Sequence, residues 1–295
     1  MSSVVSDAVR KEFRDNGVVF LEQALDAEAL RMSEAAFDWS LKHPSSGAAN
    51  FPSKEDAAAV FYQDLANPNA VAAYRDMLEA SPAADIAAAI WGTSDVWFMY
   101  EQVFLKQGGK SRRTPWHQDS SYLPVDGENL AVMWIPFERL AKENSLEVVR
   151  GSHHGTLYNG SRFDVADDTA PIYPEETLPR LPNIEADRAR WDIGSWAMAP
   201  GDVLVFHPAM LHGGAPTLPS QRRRTLSLRF FGDDAVYTPR MAGVFTASER
   251  RRGDAGESSE PVFRKLPGSL SPGDPFRHPD FLKVRPRSGN AQKKA

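Results

Sequence analysis

The chain of 295 residues contains no cysteine. That excludes disulfides and any metal site built on thiolates, and it fits a reducing compartment such as the cytoplasm. It has no basic excess either. Lys and Arg number 34 against 39 Asp and Glu, for a formal net charge of -5. A general nucleic-acid binder would carry a basic surface, so none is expected as a partner. No uninterrupted apolar run is long enough to span a bilayer, so no membrane partner is expected. The start, Met1-Ser2-Ser3-Val4-Val5-Ser6-Asp7, lacks the basic segment and apolar run of a secretory signal. What remains is 42% apolar and 25% charged, the composition of an ordinary globular protein with a sizeable core.

The first third reads as mostly helical scaffold, residues 1-95. Val5, Val9 and Phe13 recur at helical spacing and Asn16-Gly17 ends that helix. Val18-Val19-Phe20-Leu21 is a short strand. Asp26 reads as the N-cap of a helix carrying Leu30, Ala36, Phe37 and Leu41, which ends at Lys42-His43-Pro44. Ala-rich helices are expected over roughly 55–91, broken at Asn67-Pro68 and Ser81-Pro82.

From Val96 the texture becomes that of strands: Val96 to Lys106, the stretch after Gln107-Gly108-Gly109-Lys110, Asn129 to Phe137, Asn144 to Val149, Trp191 to Ala197, Val203 to His207 and Thr225 to Phe231. Many short strands after a helical run argue for a β core, 96-240, with helices packed outside. Residues 155-190 are polar and Pro-interrupted, a lid loop by length. The tail, 241-295, is rich in Arg, Gly, Ser and Pro and ends in a basic stretch from Lys283, expected to be solvated. With no repeat and no linker, one domain is expected, and a homo-oligomer contact through the tail stays open.

Chemistry concentrates in Thr114-Pro115-Trp116-His117-Gln118-Asp119-Ser120-Ser121-Tyr122. His117 and Asp119 stand two apart, so on an extended strand both leave the same face. An imidazole and a carboxylate there can be neighbouring metal ligands. A second histidine completes a two-histidine, one-carboxylate facial triad. The candidate is His212, after an apolar strand and before Gly213-Gly214. Eleven residues on comes Arg223, able to grip a carboxylate with two parallel hydrogen bonds. Strand alternation puts Arg223, Thr225 and Ser227 on one face and Leu226 and Leu228 on the other, a polar row that favours Arg223 over Arg222 or Arg224.

Other polar residues read more blandly. His207 is expected to be a hydrogen-bonded core histidine, and His153 to hold the Gly151-Ser152-His153 turn, while His154 could face a substrate. Trp116 and Tyr122 serve equally well as packing aromatics or pocket walls. Arg112 and Arg113 read as a solvated turn.

This ordered set resembles the phytanoyl-CoA dioxygenase family of Fe(II)- and 2-oxoglutarate-dependent oxygenases. It is carried by Trp116-His117-Gln118-Asp119, Gly151-Ser152-His153, Pro200-Gly201-Asp202 before an apolar strand, His212-Gly213 and Arg223, and it runs from Phe13 to about Asp233. The chain departs from the family at Glu143-Asn144-Ser145, where Asn-Gly is common, and at Arg150, where Pro usually precedes Gly-Ser-His.

The resemblance implies a mainly β fold with N-terminal helices: a double-stranded β-helix, the jelly-roll or cupin-like barrel. It implies His117, Asp119 and His212 as iron ligands and Arg223 as the group holding 2-oxoglutarate, with Gln102 and Trp134 bordering that cosubstrate. It implies O2 as co-reactant, release of succinate and CO2, and oxidation of an unactivated C–H bond of a small molecule. Related halogenases carry a small residue where Asp119 stands, so halogenation is not implied. Two alternatives sit beside this reading. One is a cupin-like metal isomerase or hydrolase, which has no use for Arg223. The other is an inactive barrel acting as a binding module, which would have lost a triad member.

Overall fold

In the computed structural model the described residues are 4–287, apart from Pro52, Lys54, Glu55, Val165, Glu175, Glu176 and 241–268. Four helices precede or flank a large sheet: α1 (Asp7–Asn16), α2 (Ala27–Lys42), α3 (Ala70–Ala80) and α4 (Ala83–Trp91). The strands are β1 (Val18–Leu21), β2 (Ala49–Asn50), β3 (Val60–Leu65), β4 (Val96–Gln107), β5 (Thr114–His117), β6 (Val125–Asp126), β7 (Leu130–Pro136), β8 (Leu146–Val149), β9 (Ile193–Gly194), β10 (Val203–Phe206), β11 (His212–Gly214), β12 (Arg223–Phe231), β13 (Val236–Tyr237) and β14 (Leu282–Arg285).

Among the described residues they form an antiparallel sheet in the order β1-β10-β7-β12-β4-β3-β2, with β14 added on β4, a smaller sheet in the order β5-β11-β8-β9, and a two-stranded pair β13-β6. The first two are not hydrogen-bonded into a closed barrel; they face each other as the two walls of a jelly roll.

Alternation along the large sheet decides what each face does. Val19, Val103, Met133, Val205, Leu226 and Leu228 point to the helices and pack with Phe37, Tyr74 and Leu78. From the opposite face Trp134, Leu204 and Phe206 meet Leu146 and Val148 of the small sheet. The helical layer starts where expected. Ser6 accepts from the Val9 amide, Asp26 accepts from the Ala29 amide at 2.8 Å, and Gly17 closes α1 in the left-handed region at φ 74°.

Two parts of the chain differ from expectation. Residues 60–65, expected to be helical, form β3 and pair with β4 from Val60↔Gln107 to Leu65↔Gln102. The six residues from Val60 have strand composition, and a distant partner overrides the Ala-rich neighbourhood. The basic end, expected to be solvated, supplies β14, in which Val284 and Arg285 are buried and Leu282 pairs with Phe98. The rest of the tail expectation falls on 241–268 and 288–295, outside the described residues.

Candidate metal centre and its pocket

His117 ends β5, and Asp119 opens a 3-10 turn rather than continuing the strand. The turn still returns the carboxylate beside the imidazole, at 3.5 Å from His117 Nε2 to Asp119 Oδ1. Strand β11 pairs with β5 in the register His212↔His117, so the second imidazole arrives from the neighbouring strand, with His212 Nε2 3.8 Å from the same oxygen. All three residues are buried, and their candidate ligand atoms lie within 4.8 Å of one another.

Both histidines are oriented from behind. His117 Nδ1 lies 2.8 Å from the Pro115 carbonyl and His212 Nδ1 2.9 Å from the Met210 carbonyl. A ring whose Nδ1 donates to a carbonyl keeps a lone pair on Nε2 for a metal. Burial, together with the neighbouring His117, pushes the His212 imidazole down to about 3, so it is neutral and available as a ligand at pH 7. Burial alone would raise the Asp119 carboxyl, but the Arg229 guanidinium outweighs it and holds the group well below the usual carboxylate range. Arg229 Nε and Nη2 donate to Asp119 Oδ2 at 3.0 and 2.7 Å. Oδ2 is thereby neutralised, and Oδ1 is the oxygen both histidines face. The donor set, tautomers and charge suit one divalent cation with open positions.

The remaining sequence candidates line the adjoining pocket. Arg223, Gln102 and Trp134 all border it, with Phe104, Lys106, Thr114, Phe206, Gly214, Thr225 and Ser227. Ser227 lies opposite Gln102 on one side and Trp134 on the other, which brings those two together across β12. Arg223 donates to the carbonyls of Asn144 and Ala215, leaving N–H groups for a carboxylate. Two residues escaped the reading of the sequence. Arg229 is the next inward position of the Arg223, Thr225, Ser227 row, and Lys106 is the next inward position but one after Gln102 on β4; alternation carried two residues past Ser227 and four past Gln102 reaches them.

The other expectations resolve as follows. His207 is buried, its Nε2 3.1 Å from the Gly127 carbonyl and its Nδ1 accepting from the Ala209 amide, and burial pushes it down to about 4. The His153 and His154 rings lie 3.8 Å apart and each bonds the Arg14 carbonyl, so His154 faces α1 rather than a substrate. Trp116 packs under the 155–190 segment and donates to Glu185, whereas Tyr122 lies 6.2 Å from the His117 ring. Arg112 and Arg113 are not a solvated turn. Arg112 pins the Phe163 and Asp164 carbonyls and the Asp168 carboxylate, and Arg113 pairs with Glu147. Phe163, so held, stands 5.3 Å from the His117 ring.

Residues 13–225, well over half of the chain, match the model of the family described as phytanoyl-CoA dioxygenase (PhyH). The chain belongs to the phytanoyl-CoA dioxygenase family. Human peroxisomal phytanoyl-CoA dioxygenase is 28% identical over 132 residues, which are 44% of this chain and 37% of that protein. A probable phytanoyl-CoA dioxygenase of Caenorhabditis elegans is 26% identical over 131 residues, 43% and 39% of the two chains. The chain thus spans under two-fifths of the length of the curated relatives it matches.

Among solved structures, the non-heme alpha ketoglutarate dependent epimerase SnoN from nogalamycin biosynthesis matches with a TM-score of 0.66 and 17% identity. That match covers 95% of this chain and 98% of SnoN, in a complex with Fe3+, alpha ketoglutarate and nogalamycin RO. AviO1 from Streptomyces viridochromogenes Tue57 matches with a TM-score of 0.59 and 22% identity over 81% of this chain and 100% of its own. At these identities the likeness is one of fold, and it is the expected jelly roll. The family is the one the sequence resembles, and the fold is the one that resemblance implies. No helix among the described residues is long and apolar enough to cross a membrane.

Proposed function

We propose that this protein is an Fe(II)/2-oxoglutarate-dependent dioxygenase. In this reading it oxidises an unactivated C–H bond of a small molecule and releases succinate and CO2, with His117, Asp119 and His212 as iron ligands. The observation that carries the reading is the convergence of those three groups beside a pocket that His117, His212 and Arg223 line. Iron, 2-oxoglutarate and O2 supply the oxidising power when bound. The chain's part is placement. The Pro115 and Met210 carbonyls fix the imidazoles, and Arg229 fixes the carboxylate. Arg223 takes the distal carboxylate of 2-oxoglutarate, with Gln102 and Trp134 along its length. Phe163 and Tyr122 cover the His117 side and limit water there.

Hydroxylation is the outcome we favour. SnoN is an epimerase, so the same fold elsewhere serves a different outcome. Our reading keeps the protein in the cytoplasm, with neither nucleic acid nor membrane as partner.

The test is anaerobic. Fe(II) followed by 2-oxoglutarate is expected to give the weak visible charge-transfer band of an iron–keto-acid chelate. His212→Ala abolishes the band, and Arg223→Ala raises the 2-oxoglutarate needed for half-saturation by about 10- to 100-fold, the loss of a charge-assisted pair. Wild-type protein that binds iron without developing the band would return the protein to the cupin-like metal proteins.

A further inference from the structure

We propose that Lys106 is a second cation of the cosubstrate pocket, clamping the distal carboxylate of the keto diacid together with Arg223 and the Thr114 hydroxyl. The inference rests on the reading above and extends it to residues that the triad logic does not reach.

The geometry starts with register. Lys106 on β4 is the direct partner of Arg223 on β12, so two long cationic side chains leave the sheet side by side on its inner face. Both are buried and both line the pocket. Among the described residues no carboxylate lies within ion-pair distance of either. The lining carries three cations, Lys106, Arg223 and Arg229, and no acidic residue; only Arg229 is neutralised, by Asp119. Two buried, unneutralised cations at one end of a pocket are costly unless a ligand supplies the counter-charge.

The bonds that Lys106 does make leave room for that ligand. Its ammonium donates to the Arg112 carbonyl at 2.8 Å and to Thr114 Oγ1 at 3.2 Å, and it sits 3.9 Å over the Phe61 ring. An ammonium has three N–H groups, so one remains. Thr114 Oγ1 accepts from Lys106 and keeps its own proton to donate. The space between these groups and Arg223 exists because residue 214 is glycine. A Cβ there would stand 3.2 Å from Thr114 Oγ1 and 3.7 Å from Arg223 Nη2. Ammonium, hydroxyl and guanidinium thus surround one side-chain-free spot of the pocket. The electrostatics agree: burial first, then the Arg223 and Arg113 charges, hold the Lys106 amine well below its ordinary value, a repulsion that an arriving carboxylate relieves.

The test compares two probes of equal carbon count under anaerobic Fe(II) loading: 2-oxoglutarate, with a distal carboxylate, and 2-oxovalerate, without one. Affinity is read from the charge-transfer band and by calorimetry, so turnover is not needed. Wild-type protein is expected to prefer 2-oxoglutarate strongly. Lys106→Met should weaken 2-oxoglutarate by about 10- to 100-fold and leave 2-oxovalerate unchanged, as loss of one charge-assisted contact demands. Lys106→Gln, which can still donate to the Arg112 carbonyl and Thr114, should show the same loss of preference and guards against a folding defect in the Met variant. Equal weakening of both probes would make Lys106 a packing residue and overturn the proposal, as would no weakening at all. Absence of the band in wild-type protein with either probe would instead remove the oxygenase reading, and this proposal with it.

Discussion

Asp119 and Arg229 form a pair in which neither member is accessible to bulk water: their side chains are 8% and 5% exposed. Removing one partner of such a pair strands the other charge, at a cost of about 3–5 kcal/mol. Arg229→Met should therefore lower the metal-free protein's stability by about that much, measured by urea denaturation. The double variant Asp119→Asn/Arg229→Met should lose less than the sum of the two single changes. Glu101 is the opposite case. It lies buried on the helix side of β4, where the Asn67 amide donates to Oε1 at 2.8 Å, and burial pushes its carboxyl up from 4.5 to about 8. The folded protein then holds a proton that the unfolded chain releases near 4.5. The stability tied to Glu101 is complete below that pH, falls as pH rises, and is fully lost above about 8. Glu101→Gln should flatten this fall. The gain in Tm over wild type is expected to be small at pH 5 and to grow up to pH 8.5; a constant difference would count against it.

At the level of elements, one tight local constraint is the end of α1. Gly17 has φ 74°, and a Cβ there would come within 2.5 Å of His153 Nδ1 and closer still to Met210 Sδ. Gly17→Ala therefore combines a disfavoured backbone with a clash, and a loss above about 1 kcal/mol is expected from thermal unfolding. The helix end at Asn16-Gly17 was legible in the sequence because a local rule governs it. So were the N-cap at Asp26, the inward row of β12 and the order of the triad residues. What was not legible depends on distant pairing. β3 becomes a strand only because β4 lies beside it, and β14 because the same edge of β4 is left open near Phe98, beyond the end of β3. Arg229 and Lys106 were within reach of alternation, but their roles needed Asp119 and Arg223 to be seen opposite them. The 3-10 turn at Asp119 was not foreseen either, since His-x-Asp reads as strand until the Pro208 carbonyl is found accepting the Ser120 amide.

On the scale of the whole molecule, the C-terminal segment ties the layers together. Phe276 is fully buried, 5.1 Å from the Phe231 and Phe281 rings, and Arg285 pairs with Asp85 of α4. Phe276→Ala should cost about 3–5 kcal/mol, by the lost transfer energy and the cavity left behind, and it should do so without altering keto-acid preference. That separation is checked by running denaturation and the chelate titration on the same variant.

The regular pairing of β12 has one more consequence. From Arg223↔Lys106 to Arg229↔Tyr100 no bulge interrupts the ladder; the first irregularity falls after Arg229. Arg229 marks the end next to the triad and Arg223 the opposite end, six residues away, about 20 Å along the backbone. The strand therefore acts as a ruler. It fixes the spacing between Asp119, which Arg229 holds, and the Arg223 guanidinium, and in the proposed reading that spacing selects the length of the keto diacid that reaches from the metal to Arg223. A keto diacid one carbon shorter or longer than 2-oxoglutarate, chelated at the triad, is therefore expected to miss Arg223 and to bind more weakly in the same anaerobic titration.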